Sequence, residues 1–480
     1  MIASQAKLKK KSIDLTEGPI LIKMISFVLP VMATNLLQTF YNAADMMVVS
    51  MSHEANAVGA IGMTGSFVGL IVNLFMGFSV GTNVLVARFL GAKDDKNVSK
   101  TVHTSIIMSI IVGFAATALG FFISRPILSM MGAQGNLLDL ATTYTKIYFC
   151  GVPFLAATNY VAAIFRAKGD TKTPLYVLAI SGIINVLFNL FFVLVVGLSV
   201  EGVAIATAIS NLFAAIALIW LLSKDESPCR FSFSKCRIDR RAFVGIIREG
   251  LPAGIQSAVF SVSNMLIQSS IIQVNNSVVA SMGATGKVEP VVNGNSAATN
   301  LEGFLYTAIN SVYQAAITFT SQNYGAGKYK RIWRVILVSN LLAMFVGLIG
   351  TSIVHAFHDP LLALYGIKDG AVGSLEHVAY QAAVDRIIYV MSLYFTIGVM
   401  DASCGIVRGL GKTTISTVIS LLGACVFRTF WVMFVFSANP TLKTVFISYP
   451  ISWVLTGGAQ LICAIYFLKK KIRQTSALPN

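Results

Sequence analysis

Long apolar stretches separated by short polar connections run the whole length of the chain. A membrane-spanning helix needs about 20 mainly apolar residues. Twelve segments reach that length, at about 21–50, 57–88, 101–124, 137–165, 174–197, 201–223, 244–275, 298–322, 332–355, 379–407, 414–437 and 445–468; these are spans 1 to 12. Several exceed one bilayer thickness, which predicts tilt or extension past the headgroups. Lys7, Lys9, Lys10 and Lys11 ahead of span 1 resemble the basic start of a signal peptide. The apolar run continues beyond Asp45, too far for such a leader, so span 1 is read as retained. The pattern predicts an all-α polytopic membrane protein.

Polar residues inside the spans are fewer and more informative. In span 1, Asn35, Gln38, Asn42 and Asp45 recur at helical spacing and fall on one face. A carboxylate inside a bilayer is costly and marks an ion or substrate pathway. Gln38, Tyr41 and Asn42 share its helix and are expected to position Asp45 or line a cavity. Asn185 and Asn189, one turn apart in span 5, are candidates for the same pocket. Ser257, Ser261, Asn264 and Gln268 form a stripe on span 7, and Asn310, Gln314 and Ser321 another on span 8. Glu302 and Asp401 are acids of the second half and join Asp45 as candidates for cation coupling. Glu302 is expected to open span 8 and complement a helix N-terminus. Lys146 and Arg386, at matching points of spans 4 and 10, are expected to snorkel to the outer interface. Arg428 lies deeper in span 11 and needs a partner, Asp401 or a carbonyl; it joins the cavity candidates.

Composition agrees with the pattern. The chain has 480 residues, 55% hydrophobic and 12% charged, with a mean hydropathy of +0.74; a soluble domain carries about 25% charged residues. The net charge of +16 raises the question of nucleic acid. Its placement answers otherwise. Lysines and arginines crowd the N-terminal segment, the 2–3, 4–5, 6–7, 8–9 and 10–11 connections and the tail, all on one side of a twelve-span chain. The exceptions are Arg125, Lys146, Lys287, Lys368, Arg386, Arg428 and Lys443. This bias predicts cytoplasmic termini in a cell (plasma or inner) membrane. The charge then attracts anionic lipid, and no nucleic-acid partner is needed to explain it. The six cysteines form no CxxC pair, and Cys229 and Cys236 share a basic loop without further ligands, so no metal cluster is expected. His53, His103, His355, His358 and His377 sit mainly near helix ends or loops, which argues against a histidine proton relay.

The chain also repeats itself. Leu29-Pro30 opens span 1 and Leu251-Pro252 opens span 7. Gly91-Ala92-Lys93 ends span 2 and Gly325-Ala326-Gly327-Lys328 ends span 8. Arg166-Ala-Lys-Gly169 follows span 4 and Arg408-Gly-Leu-Gly411 follows span 10. Three matches in one order indicate two pseudo-symmetric six-helix bundles, residues 1–223 and 244–480, joined by a basic linker at 224–243. Six spans is an even number, so the halves are parallel repeats, an arrangement known for alternating-access transporters.

Several of these segments resemble the MATE family, the multidrug and toxic compound extrusion transporters. They are Asp14-Leu-Thr-Glu17-Gly-Pro19, Tyr41-Asn42-Ala-Ala-Asp45, Ala87-Arg88-Phe-Leu-Gly91-Ala92-Lys93, Ile164-Phe-Arg166-Ala-Lys-Gly169-Asp170, Gly202-Val-Ala-Ile-Ala-Thr-Ala-Ile-Ser210 and Gln322-Asn323-Tyr-Gly325-Ala326-Gly327-Lys328. The resemblance covers nearly the whole chain. It implies a monomer without cofactors that exports organic cations or toxins in exchange for H⁺ or Na⁺. It also implies that Asp45 takes the role of the family's span 1 carboxylate, and would be a ligand if the ion is Na⁺. Asn189 stands where some proton-coupled members carry Asp, and Phe260 and Ser261 stand where a sodium-coupled branch carries Glu, so the ion is left open. A lipid-linked oligosaccharide flippase of the same broad superfamily is the alternative. No GxSxG, HExxH or paired intramembrane acids point to an enzyme.

Overall fold

A computed structural model describes residues 13–52, 54, 57–283 and 288–476. Lys7, Lys9, Lys10, Lys11, His53 and Lys287 lie outside these residues. All twelve expected spans are helical. They are Ile20–Ser50, Ala57–Gly91, Asp95–Met130, Gly135–Ala167, Lys172–Val195, Val200–Ser223, Arg240–Ser281, Pro290–Gly325, Tyr329–Ala356, the pair Leu375–Leu393 and Phe395–Gly409, Thr413–Phe436, and Leu442–Ser476. Among the described residues, ten are long and apolar enough to cross a membrane alone, and the pair forming span 10 makes an eleventh. Span 8, at 36 residues, is long enough but carries Asn293, Asn295, Asn300, Glu302, Asn310 and Gln314. Most spans run past the expected ends, because their polar caps continue the helix into the headgroup region. Asp94, for example, caps span 3 by accepting a hydrogen bond from the Asn97 amide at 3.1 Å.

The repeated motifs turn out to be helix stops. Gly169 and Gly411 both take positive φ, 84° and 75°, and end spans 4 and 10. At the ends of spans 2 and 8 the matching positions are Lys93, φ 56°, and Gly327, φ 69°. The first half therefore holds a lysine in a backbone region that glycine occupies without cost.

By packing, the chain divides into two compact units. One comprises Met1–Ala258, Ile317–Ile332 and Gly411–Thr414; the other comprises Val259–Ala316, Trp333–Leu410 and Ile415–Asn480. The division falls within spans 7 and 8, near the start of span 9 and around the start of span 11.

In the first unit, Val102, Ile106, Ala162, Val161, Leu218 and Leu222 form a core that extends under Phe231 of the linker. Spans 2 and 7 meet through two small-residue stripes, Gly77 with Gly81 and Gly250 with Gly254. A Cβ at Gly81 would collide with the Ile246 carbonyl, and one at Gly254 with the Leu74 carbonyl. The backbones touch directly, a packing mode typical of membrane helices. The span 2 and span 8 exits pack the same way: a Cβ on Gly91 would strike the Gln322 carbonyl, and one on Gly325 the Arg88 carbonyl. The segment before span 1 is tied down beside them. Asn323 Nδ2 donates to the Leu15 carbonyl at 3.1 Å, Lys328 Nζ to the Thr16 carbonyl at 3.1 Å, and Arg331 Nη2 to the Glu17 and Gly18 carbonyls at 2.8 and 2.7 Å. Burial pushes the Asp14 carboxyl up, but hydrogen bonds from Thr16 and the charges of Lys23 and Lys328 outweigh it and leave the group below its usual range.

The linker is held by polar contacts rather than by apolar burial alone. The Ser232 amide donates to His103 Nε2 at 3.1 Å and the Asp239 amide to Thr104 Oγ1 at 3.0 Å. Lys168 pairs with Asp225. Cys229 is buried and Cys236 exposed; burial pushes the Cys229 thiol up to about 12.

In the second unit, Ile267, Ile309, Tyr394, Met400, Phe446 and Trp453 share a core. Span 10 bends by 48° at a 3₁₀ stretch, Met391–Leu393. Thr351 Oγ1 donates to the Met391 carbonyl there at 2.8 Å, beside the backbone bond that carbonyl accepts from the Tyr394 amide. Span 11 is irregular over its length. A π-helical segment, Leu421–Val426, precedes one α turn, Phe427–Phe430, and a second π segment, Trp431–Phe436, follows it.

Candidate functional site

In the first unit the polar residues of spans 1, 5 and 6 converge. Asp45 is buried, and its Oδ1 accepts from Asn189 Nδ2 at 2.5 Å. The same amide lies 3.3 Å from Asn185 Oδ1, and Asn185 Nδ2 lies 3.3 Å from Thr207 Oγ1. Thr207 also hydrogen-bonds Asp45, closing a ring of four side chains. Tyr144 and Tyr148, one turn apart on span 4, lie near enough to feel the Asp45 charge. Among the described residues no lysine or arginine pairs with Asp45. The Asn189 Oδ1 is fully buried and has no hydrogen-bond partner. An acidic group and an unsatisfied amide oxygen thus sit side by side, backed by neutral donors. Span 5 turns π-helical at Phe191–Val195, directly after Asn189; such segments are rare and cluster at functional sites.

The structure brings together Asp45, Asn185 and Asn189 from the sequence candidates, but it splits the span 1 stripe. Gln38 and Asn42 are exposed, and Tyr41 donates to the Ala179 carbonyl at 3.1 Å. Helical spacing puts Asn35, Gln38, Asn42 and Asp45 on one side, yet of the four only Asp45 is buried. Thr207, Tyr144 and Tyr148 were not singled out from sequence. Thr207 hides in an alanine-rich run, and the tyrosines look like ordinary interface aromatics.

The second unit carries the other candidates. Glu302 corrects its expected place: span 8 starts at Pro290, so Glu302 lies three turns inside, not at the N-terminus. It accepts from Arg386 Nε at 2.9 Å and Nη2 at 2.6 Å, and Arg386 Nη1 donates to Asn295 Oδ1 at 2.9 Å. Arg386 is 4% exposed and therefore does not snorkel. The carboxylate and amide on span 8 supply what the interface would have offered. Lys146 is half-buried, its Nζ 4.9 Å from the centroid of the Phe121 ring. Arg428 also corrects the expectation: its partner is neither Asp401 nor a carbonyl, but Ser452 Oγ at 2.9 Å, with the Tyr449 ring 4.3 Å from the guanidinium carbon. Asp401 Oδ2 is buried without a partner, near Tyr306, Tyr313 and Arg408. Gln314 Nε2 donates to Asn310 Oδ1 at 2.9 Å; Asn264 is exposed and Gln268 half-buried on span 7. Asn295, Ser452 and Tyr449 were missed, because nothing in their local sequence marks them as partners of an arginine far along the chain.

Comparisons with known proteins agree with this architecture. A family profile described as MatE matches residues 30–191 and 252–435, two copies that begin at the Leu-Pro steps of spans 1 and 7. The probable multidrug resistance protein YpnP of Bacillus subtilis is 25% identical over 88% of both chains. A FAD transporter of Shewanella oneidensis is 24% identical over 68% of this chain and 70% of its own. A solved outward-facing structure of a multidrug resistance MATE family transporter of the MOP superfamily superimposes with a TM-score of 0.85. It covers 97% of this chain and 99% of its own at 19% identity.

Proposed function

We propose, from the premise that the chain belongs to the MatE family of membrane transporters, that it is a secondary active exporter. It moves small organic molecules outward in exchange for an inward cation and binds that cation at Asp45. The observation that carries the reading is the buried carboxylate facing Asn189, whose free amide oxygen completes a place for a cation. A proton would occupy Asp45 itself. Na⁺ would use Asp45 together with Asn189 Oδ1 and the oxygens of Asn185 and Thr207, hard donors suited to a hard cation. Either ion would neutralise a charge that is expensive to bury, and that is the coupling step: the occupied site is stable when closed, and the empty one is not. Asp401, with its unpartnered oxygen, is a second place for a cation in the other unit. Relatives described as multidrug resistance proteins support xenobiotic cargo over a lipid-linked oligosaccharide. The charge bias of the connections supports cytoplasmic termini.

The test is efflux of ethidium from proteoliposomes under separately imposed Na⁺ and H⁺ gradients. One gradient should drive efflux in the wild type, and Asp45→Asn should abolish the response while the protein remains monodisperse. Gradient-driven efflux that survives in Asp45→Asn defeats the mechanism.

A further inference from the structure

Two buried guanidiniums of the second unit, Arg386 and Arg428, share one aromatic neighbour, and among the described residues only Arg386 has a carboxylate within ion-pair distance. Arg386 and Arg428 both approach the Tyr449 ring, at 5.3 and 4.3 Å from its centroid. Glu302 is taken by Arg386 through two N–H groups, and Asn295 holds a third. Arg428 is 7% exposed and, among the described residues, its hydrogen bond to protein runs from Nε to Ser452 Oγ. No carboxylate lies within ion-pair distance of it among the described residues. A guanidinium stays charged at any physiological pH and presents a planar fork of donors. Buried without a counter-ion, it is costly to keep out of water. Two further observations single out the spot. Arg428 occupies the one α turn between the two π-helical segments of span 11, a distortion that re-aims side chains and gathers at functional sites. Opposite it, Pro450 lies inside the continuous helix that supplies Tyr449, Ser452 and Trp453.

We infer that Arg428, fixed by Ser452 and stacked on Tyr449, is a binding site for an oxyanion, a carboxylate or phosphate group on the molecule the protein carries. Ser452 and the Tyr449 face hold the guanidinium from one edge and one side, leaving the terminal nitrogens to take two oxygens in the bidentate manner of arginine–carboxylate pairs. The cargo range then includes anionic or zwitterionic molecules beside organic cations. The inference rests on that reading only for calling the bound molecule cargo.

Equilibrium binding in neutral detergent tests it without a membrane or an ion gradient, so loss of ion coupling and loss of this site are read separately. The probes are 2-naphthoate and its neutral counterpart 2-naphthamide, measured by equilibrium dialysis against the full chain. The wild type should hold naphthoate about tenfold or more tighter than naphthamide, the worth of one charge-assisted contact. Arg428→Gln should erase the difference and leave naphthamide binding unchanged, and Ser452→Ala should narrow it. Equal binding of both probes by the wild type, or a preference that survives in Arg428→Gln, overturns the inference. If Arg428→Gln does not fold, Arg428→Lys keeps the charge but lacks the fork, and an undiminished preference there overturns it equally. Phenyl phosphate and phosphatidylglycerol serve as competitors. Displacement by the first identifies a soluble oxyanion, displacement by the second alone a lipid headgroup, and displacement by neither counts against the site.

Discussion

At the scale of single residues, both units spend buried charge, but in different ways. Asp45 is held by neutral donors, whereas Glu302 is held by a full counter-charge. The second arrangement has a measurable signature. Removing one member of a buried ion pair strands the other and costs about 3–5 kcal/mol, while removing both costs less. Glu302→Gln and Arg386→Leu should each destabilise the protein by that order in thermal or denaturant unfolding, and the double variant by less than the sum. Additive losses would mean that Asn295 alone satisfies Arg386. Asp14 gives a second residue-level prediction. Its carboxyl lies below the ordinary aspartate value in the folded protein, so its contribution is fully present above that value and is lost as pH falls through the lowered one. Limited proteolysis of the segment at residues 13–18 should therefore stay slow down to about pH 4 and quicken below it, and Asp14→Asn should remove that dependence. Cleavage that rises between pH 7 and 5 would place the control elsewhere.

At the scale of elements, the repeat explains where the sequence could be read and where it could not. The helix stops were legible because glycine and lysine signal them directly, and the twelve spans were legible because apolar length is decisive in a bilayer. Lys93 shows the limit: the motif marks a helix end, but only the backbone shows that a lysine occupies the left-handed position its partner Gly327 fills. Lys93→Gly should stabilise the protein by about 0.5–1 kcal/mol, relief of strain less the entropy glycine adds to the unfolded chain, checked as a rise in unfolding midpoint. No gain would show that neighbouring contacts already offset the strain. The stripes Gly77–Gly81 and Gly250–Gly254 were present in the sequence as a GxxxG pattern, yet with thirty-eight glycines in the chain they stood out only when the spans were seen to cross. The Asp45 site was half legible. Periodicity found the acid and the two asparagines, but it assigned Gln38 and Asn42 to the same pocket because spacing alone cannot say which part of a helix face a neighbour covers.

At the scale of the whole molecule, charge placement implies an orientation that two cysteines can report. Cys236 is exposed in the linker and Cys229, seven residues earlier in the same loop, is buried with its thiol held protonated. A membrane-impermeant maleimide should label Cys236 in inverted vesicles and not in intact cells, and should leave Cys229 untouched on either side. Labelling of Cys236 from outside would reverse the proposed topology. Cys150 and the partly buried Cys463 lie within spans, so replacing both keeps the readout clean.

The tether on the segment ahead of span 1 has a consequence for biosynthesis. Asn323 reaches the Leu15 carbonyl across 308 residues, and Lys328 reaches Thr16 across 312. At about 5–20 residues per second, the ribosome needs on the order of 15–60 s after making Leu15 before the side chain that secures it exists. These residues are thus fastened long after they emerge. Through that interval the segment is available to targeting factors and proteases, and its closure reports that span 8 has been made and put in place.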